Sequence, residues 1–467
     1  MALAGAAPRA YAPTVDVEPE ELLEAVERPK RRNVLFIISD DLNMHLNCYG
    51  YPWVRSPNID RLAKMGVRFD RAYCQYPLCG PSRASFLTGL RPDTTEVIDG
   101  TTWLRDTLPN VVTMPQMFKQ NGYRTARVAK VCHDARTTPD DPNSWDLAIE
   151  VYRSEVGKKG TRREYTPDIE GLQLGASVTA EGDDEDQPDG LAAAEAVRFL
   201  ERYGDEPFFL GVGFRMPHID WIVPKRCFDL YDPDEIELPK IRPDAWDSLP
   251  AKAVTLKVFN YGLDEKTWRE ALCGYYAATS FMDAQVGKLL EALERLRLAD
   301  NTIVVFISDN GWHVGEHGLW HKFTLFEESA RVPMIVYAPG AKANTQACSQ
   351  FTEFVDICPT LADLCGLEAP GNVEGTSFAP LLEDPTRPWK KAAFTQHIRG
   401  ADTMGRSIKT ERWRFTTWGD SKEDWELYDH ESDPHEFVNL ARDPKYAEKA
   451  KELLGLLKAG WKAALPL

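Results

Sequence analysis

Strand-like runs recur along the chain at residues 34–38, 125–128, 207–213, 302–308 and 332–337. The first and fourth are apolar at nearly every position rather than at every second one. That is the pattern of strands buried on both faces. Helical periodicity fills residues 190–202 and 266–297. Ser56-Pro57-Asn58 opens a further predicted helix through Lys64, with proline in the first turn, where its missing N–H costs nothing. Another predicted helix follows Pro81 and ends near Thr88-Gly89. Strands alternating with helices predict an α/β class, with a large, mostly parallel sheet sandwiched by helices.

Beyond Gly371 the pattern changes. Short alternating segments at 406–409, 412–417 and 426–428 are separated by turn residues such as Trp418-Gly419-Asp420. They predict a small antiparallel sheet in a C-terminal α+β subdomain, followed by a helix over 444–463. The expected organisation is an extension at 1–32 with a short acidic helix at 20–27, a catalytic domain at 33–372 and the subdomain at 373–467. The acidic run at 181–189 reads as a solvated loop leading to a helix cap, and its spacing does not fit a Ca²⁺-binding loop.

Composition narrows the function. With 467 residues, 43% hydrophobic and 27% charged, the chain can bury a large core. Its 55 basic and 72 acidic residues give a net charge of −17, which argues against a nucleic-acid binder. An anionic small substrate remains compatible, because a cleft can oppose the global charge. No apolar stretch approaches the length of a membrane span, so no membrane is expected as a partner. The nine cysteines are scattered and form no CxxC pair, which speaks against a dense disulfide framework or a zinc cluster and leaves any pairing open. The first 32 residues lack the pattern of an intact secretory leader. The expected compartment is periplasmic or extracellular with the leader absent or trimmed, and the cytoplasm is the alternative.

Two strand ends carry oxygen-rich pairs, Asp40-Asp41 and Asp309-Asn310. Ligands gather at the carboxyl ends of strands in open α/β sheets. Taken alone, each pair is a turn or a cap; together they offer a hard site suited to Ca²⁺ or Mg²⁺. Cys79 precedes the Pro-opened helix, where N–H groups and the helix dipole stabilise anions. It is a candidate nucleophile with Arg83 as an anion stabiliser; the bland alternative is a buried cysteine beside a capping serine. His313, His317 and His321 invite a zinc reading, but Gly315 and Gly318 break the helix that would align them, and they are expected to line or support the pocket mouth.

The segment from Cys79 to Gly89, C-x-P-S-R-x-x-x-L-T-G, resembles the signature of type I sulfatases in the alkaline phosphatase superfamily. The resemblance runs from Asn33 to the C-terminus. D-D-L, C-Y-G, R-S-P-N-I-D, R-P-D-T-T, K-V-x-H, P-H-I and S-I-K-T-x-x-W-R-F-T-x-W are similar to the iduronate-2-sulfatase-like branch. It implies that Cys79 is oxidised to formylglycine by a formylglycine-generating or anaerobic maturase. One hydroxyl of the hydrated aldehyde would attack sulfur, and the other would drive release of sulfate. The resemblance places Asp40, Asp41, Asp309, Asn310 and modified Cys79 around Ca²⁺, with Mg²⁺ second. Arg83, Lys130 and Lys322 would neutralise sulfate oxygens. His133 would orient or deprotonate the nucleophile, and His218 with Lys322 would protonate the leaving alcohol. Trp103, Arg105, Trp312, His397 and Arg399 fall where related enzymes contact sugar. The implied substrate is a sulfated glycan or small sulfate ester, such as a 2-O-sulfated uronic acid or an algal polysaccharide. The rivals are a phosphonate or phosphate ester hydrolase of the same superfamily, an inactive binding protein and a structural protein.

Overall fold

The computed structural model describes residues 31–133, 141–165, 174–256 and 258–466, so the acidic helix expected at 20–27 lies outside the described residues. Residues 32–467 form one compact unit. Its strands are β1 (Asn33–Asp40), β2 (Val67–Tyr73), β3 (Arg124–Ala129), β4 (Leu147–Ile149), β5 (Gly160–Glu164), β6 (Ala176–Ala180), β7 (Phe208–Pro217) and β8 (Trp221–Pro224). They continue with β9 (Thr302–Ser308), β10 (Arg331–Tyr337), β11 (Ala347–Glu353), β12 (Ala392–Arg399), β13 (Thr403–Thr410), β14 (Trp413–Trp418) and β15 (Trp425–Asp429).

The main sheet has eight strands in the order β11-β2-β10-β9-β1-β7-β3-β4. Central β1 pairs in parallel with β9 and β7, and all eight of its residues are buried. Successive side chains point to opposite faces. Leu35 and Ile37 join the core formed with helices Pro188–Tyr203 and Glu265–Arg295, while Val34, Phe36 and Ile38 join the core containing Phe86, Met117 and Phe118. Burying each such side chain contributes about 1.5–3 kcal/mol. This explains the uninterrupted apolar run, and the expected α/β sandwich is present.

Some elements escaped the sequence reading. β10 is antiparallel to both neighbours, and β2 beyond it carries Arg68, Asp70 and Arg71 between its apolar residues. A small sheet of β5, β6 and β8 was not expected. The C-terminal sheet has the three expected strands plus β12. Gln396 N donates to Gln75 O at 2.9 Å and Thr395 Oγ1 to Cys74 O at 2.9 Å, so β12 adjoins the approach to Cys79.

The acidic run at 181–189 is more than a solvated loop. Asp189, 2% exposed, accepts the backbone N–H groups of Arg215 (2.7 Å) and Met216 (2.8 Å). Burial raises its pKa to about 6. It anchors the end of β7, from which His218 emerges.

A buried ion network joins the R-P-D segment to the C-terminal region. Arg91 grips Glu353 with two bonds of 2.9 and 2.7 Å, and Lys390 bridges Glu353 (2.8 Å) and Asp356 (2.7 Å). Burial pushes the Glu353 carboxyl up, but Arg91 and Lys390 outweigh it and hold the pKa at about 2. Arg91→Ala leaves a buried carboxylate short of its partner, so the expected loss is about 3–5 kcal/mol in urea unfolding. A loss below about 1 kcal/mol, the range of an exposed pair, would show that Lys390 alone satisfies Glu353.

Candidate active site

The ends of β1 and β9 meet the N-terminus of helix Cys79–Thr88. All ten residues of this helix are buried. Asp40 ends β1, and Asp41 follows it with a φ of 63°, a left-handed conformation that aspartate tolerates better than most residues. Tyr275 Oη donates to Asp41 O at 2.9 Å and Leu42 N to Ser308 Oγ at 2.8 Å, fixing this turn. Asp309 follows β9; its Oδ1 accepts Asp41 N at 3.1 Å and its carbonyl accepts Ser82 Oγ at 2.5 Å. The parallel pairing of β1 and β9 thus delivers both acidic pairs to one point. A Cβ on Gly80 would come within 2.9 Å of Asp99 O, so glycine lets the next strap pass close to the Cys79–Thr88 helix.

Cys79 Sγ lies 3.2 Å from Asp40 Oδ1 and 2.7 Å from Lys322 Nζ. Lys322 Nζ also reaches Asp41 Oδ1 at 2.5 Å, and Asn310 Nδ2 donates to the same oxygen at 2.7 Å. Arg83 Nε donates to Asp309 Oδ2 at 2.9 Å, while Lys130 pairs with Asp40. His218 Nε2 stands 3.7 Å from Asp41 Oδ2. His133 Nε2 is 3.2 Å from Gly100 O, and its ring passes 3.5 Å from where a Gly80 Cβ would stand. The proposed nucleophile, the four oxygen-bearing residues and the five basic residues therefore come from distant parts of the sequence to one centre.

Ligand atoms of Asp40, Asp41, Cys79 and Asp309 lie within 4.8 Å of one another. Asp41 Oδ2 and Asn310 Oδ1 are buried without a hydrogen-bond partner. Unpaired buried oxygens are costly, and the oxygens of Asp40, Asp41, Asp309 and Asn310 fit a hard divalent cation.

Three buried carboxylates face three cations, so the local charge is far from the acidic average. Burial pushes the Asp40 carboxyl up, but Lys130, His218, Arg83 and Lys322 outweigh it and hold its pKa well below the usual value. Asp309 goes the other way, raised by burial and by Asp40. Lys322 stays charged because the carboxylates of Asp41, Asp40 and Asp309 overcome its desolvation. Burial, with Lys130 and Arg83 nearby, lowers the His133 pKa to about 4, leaving a neutral imidazole that can accept a proton. Burial and the charges of Asp309 and Asp40 push the Cys79 thiol well above its ordinary range. The helix N-terminus is outweighed at this thiol, first by burial and then by Asp309 and Asp40.

The expected sugar-contact residues are placed less uniformly. Trp103 lines a small cavity with Gly80, Arg83 and His133. Arg105 is committed to Asp141 (3.0 Å) and Gln116 (2.9 Å). Trp312 is 4% exposed, which leaves little ring face for a sugar; it packs 6.5 Å from His218, centroid to centroid. His397 is buried with Nδ1 unpartnered, and Arg399 donates to the carbonyls of Lys252 (2.9 Å) and Ala253 (3.1 Å). Among the described residues, His313, His317 and His321 form no common ligand set; His313 bonds Thr324 Oγ1 at 2.9 Å and His317 stacks on Phe326. Sequence reasoning missed Tyr275 and Asp189, because each acts through backbone atoms of distant segments.

Residues 32–367 match the sulfatase family, and residues 315–461 match the C-terminal region of N-sulphoglucosamine sulphohydrolase. The chain is 34% identical to iduronate 2-sulfatase of Mus musculus, covering 89% of this chain and 91% of that one. It is 29% identical to a sulfatase of Formosa agariphila, covering 96% and 90%. A structure solved in complex with its substrate D-glucosamine-2-N,6-O-disulfate superposes with a TM-score of 0.74 at 26% identity, covering 93% of this chain and 98% of that one. The phosphonate monoester hydrolase of Agrobacterium radiobacter shares the fold, with a TM-score of 0.78 at 22% identity over 92% and 95% of the two chains. The chain belongs to the sulfatase family and is a sulfuric ester hydrolase.

Proposed function

We propose that this sulfatase removes sulfate from a sulfated carbohydrate, a 2-O-sulfated uronic acid or a related glycan, with Cys79 matured to formylglycine and Ca²⁺ as its metal. The carrying observation is the gathering of Asp40, Asp41, Asp309 and Asn310 around Cys79, with Asp41 Oδ2 and Asn310 Oδ1 unpartnered. These residues would hold the ion. When bound, a divalent cation supplies counter-charge and Lewis-acid polarisation. Formylglycine supplies a hydrated aldehyde, one hydroxyl for attack on sulfur and one for release of sulfate; a plain thiol ester has no such exit.

The chain's own groups do the rest. Arg83, Lys130 and Lys322 take up the negative charge of the sulfate oxygens. Neutral His133 accepts a proton at the nucleophile, and His218 with Lys322 returns one to the leaving oxygen. Trp103, Arg105, Trp312, His397 and Arg399 complete the proposed leaving-group region, some by packing and some by contact. The maturation partner is a formylglycine-generating or anaerobic maturase. The proposed organisation keeps residues 33–372 as the catalytic domain and 373–467 as its C-terminal subdomain. The proposed compartment is periplasmic or extracellular; among the described residues no helix is long and apolar enough to cross a membrane.

Parallel kinetics on aryl sulfate and aryl phosphate esters test the reaction class. Sulfate ester turnover is expected to dominate, and dominant phosphodiester turnover would favour the phosphonate hydrolase reading instead. In the same preparation, the Cys79 peptide from the native host is expected to weigh about 18 Da less than its thiol form. An unmodified peptide in active enzyme would remove formylglycine from the mechanism.

A further inference from the structure

We propose that Phe323 is the apolar platform on which the ring of the leaving alcohol rests. This deepens the reading of a carbohydrate sulfatase and rests on it. Phe323 directly follows Lys322, whose ammonium touches Cys79 and Asp41. It is 37% exposed, one of few large apolar side chains left open to solvent among the described residues. Its φ is 71°, a conformation unfavourable for a bulky residue. Exposure and backbone conformation both work against stability here, and strain of this kind clusters at functional sites. The backbone is held there by Phe323 N donating to Pro77 O at 3.3 Å, two residues before the nucleophile position.

The surroundings identify the ligand. The Phe323 ring lies 5.9 Å from the His397 ring and 5.9 Å from the His321 ring, centroid to centroid. His397 is 6% exposed, with Nδ1 lacking a partner. Burial, with Arg399 nearby, holds both imidazoles neutral, His321 at about 4. The Arg399 guanidinium lies over Trp418 and, among the described residues, its hydrogen bonds go to carbonyls rather than to a carboxylate. An aromatic face beside an unsatisfied imidazole nitrogen and a guanidinium hydrogen-bonded to carbonyls rather than to a carboxylate matches one chemistry. It is a pyranose ring whose C–H face stacks, with hydroxyl and acidic substituents at its edge. Trp312, packed inward, does not offer that face.

The test separates ring binding from sulfate binding in the mature enzyme. KM and kcat are measured on a 2-O-sulfated uronate monosaccharide, and Ki is measured for inorganic sulfate, which has no ring. Phe323→Ala is expected to raise KM about tenfold, equivalent to 1.4 kcal/mol. Sulfate Ki and kcat should change less than about threefold, equivalent to 0.65 kcal/mol. Phe323→Tyr, which keeps the ring, should restore KM, and Phe323→Leu, which keeps bulk without aromaticity, should not. An unchanged KM overturns the platform. So does a parallel rise of KM and Ki, or a rise in Phe323→Tyr, because each marks a general packing role. If wild-type enzyme releases no sulfate from any ester, the carbohydrate sulfatase reading fails instead, which the wild-type control shows before any variant is compared.

Discussion

Cys79→Ala is expected to lower kcat/KM on any sulfate ester at least a thousandfold while leaving the urea midpoint within experimental error of wild type. The residue is 2% exposed at the start of a fully buried helix, so alanine removes one sulfur atom and no hydrogen bond that the backbone needs. Its thiol donates to Asp40 and accepts from Lys322, and both partners keep other contacts, Lys130 and Asp41 respectively. The chemical loss is larger. Burial, Asp309 and Asp40 push the thiol well above its ordinary range, so the unmodified side chain is a poor nucleophile, which supports the proposed maturation. A variant retaining activity within about tenfold, a barrier change of only about 1.4 kcal/mol, would remove Cys79 from the reaction. A large fall in the urea midpoint would show that the sulfur is structural.

Much of this site was legible because its parts sit at element boundaries. Asp40-Asp41 and Asp309-Asn310 each end an apolar strand, and the rule for parallel sheets then brings them together. The β1–β9 register, Ser39 opposite Ser308, realises that rule. β7 was placed but cut short. Its last residues pass the end of the regular ladder and bond to Asp189, a carboxylate that looked like part of a solvated acidic run. β2 was missed because only its alternation marks it, and Arg68, Asp70 and Arg71 weaken an apolar signal. The leaving-group region was least legible. Trp312 and Arg105 look like sugar contacts by residue type, yet one is buried and the other is bound to Asp141. Phe323 carries no polar signature and is revealed only by its exposure and backbone angle.

Chelation gives the second large effect. EDTA followed by gel filtration is expected to lower turnover at least a hundredfold, and Ca²⁺ is expected to restore it. The site places Asp40, Asp41 and Asp309 together at 0% exposure, and like charges that close resist joint ionisation. Arg83, Lys130 and Lys322 offset part of that repulsion, but Asp41 Oδ2 and Asn310 Oδ1 stay unsatisfied. A divalent ion held there would satisfy both, so its binding is expected also to stabilise the fold. At a hundredfold excess over its Kd the ion adds about 2.7 kcal/mol, read as a rise in Tm. Asp309→Ala removes one proposed ligand and frees Arg83 from its 2.9 Å bond, so the Ca²⁺-dependent rise should vanish in that variant. Recovery with Zn²⁺ alone would overturn the assignment of a hard cation, since zinc favours nitrogen and sulfur donors over this oxygen set. A Tm that ignores Ca²⁺ in the wild type would leave the three carboxylates balanced by Arg83, Lys130 and Lys322 alone, and the centre would then be an ion-pair cluster rather than a metal site.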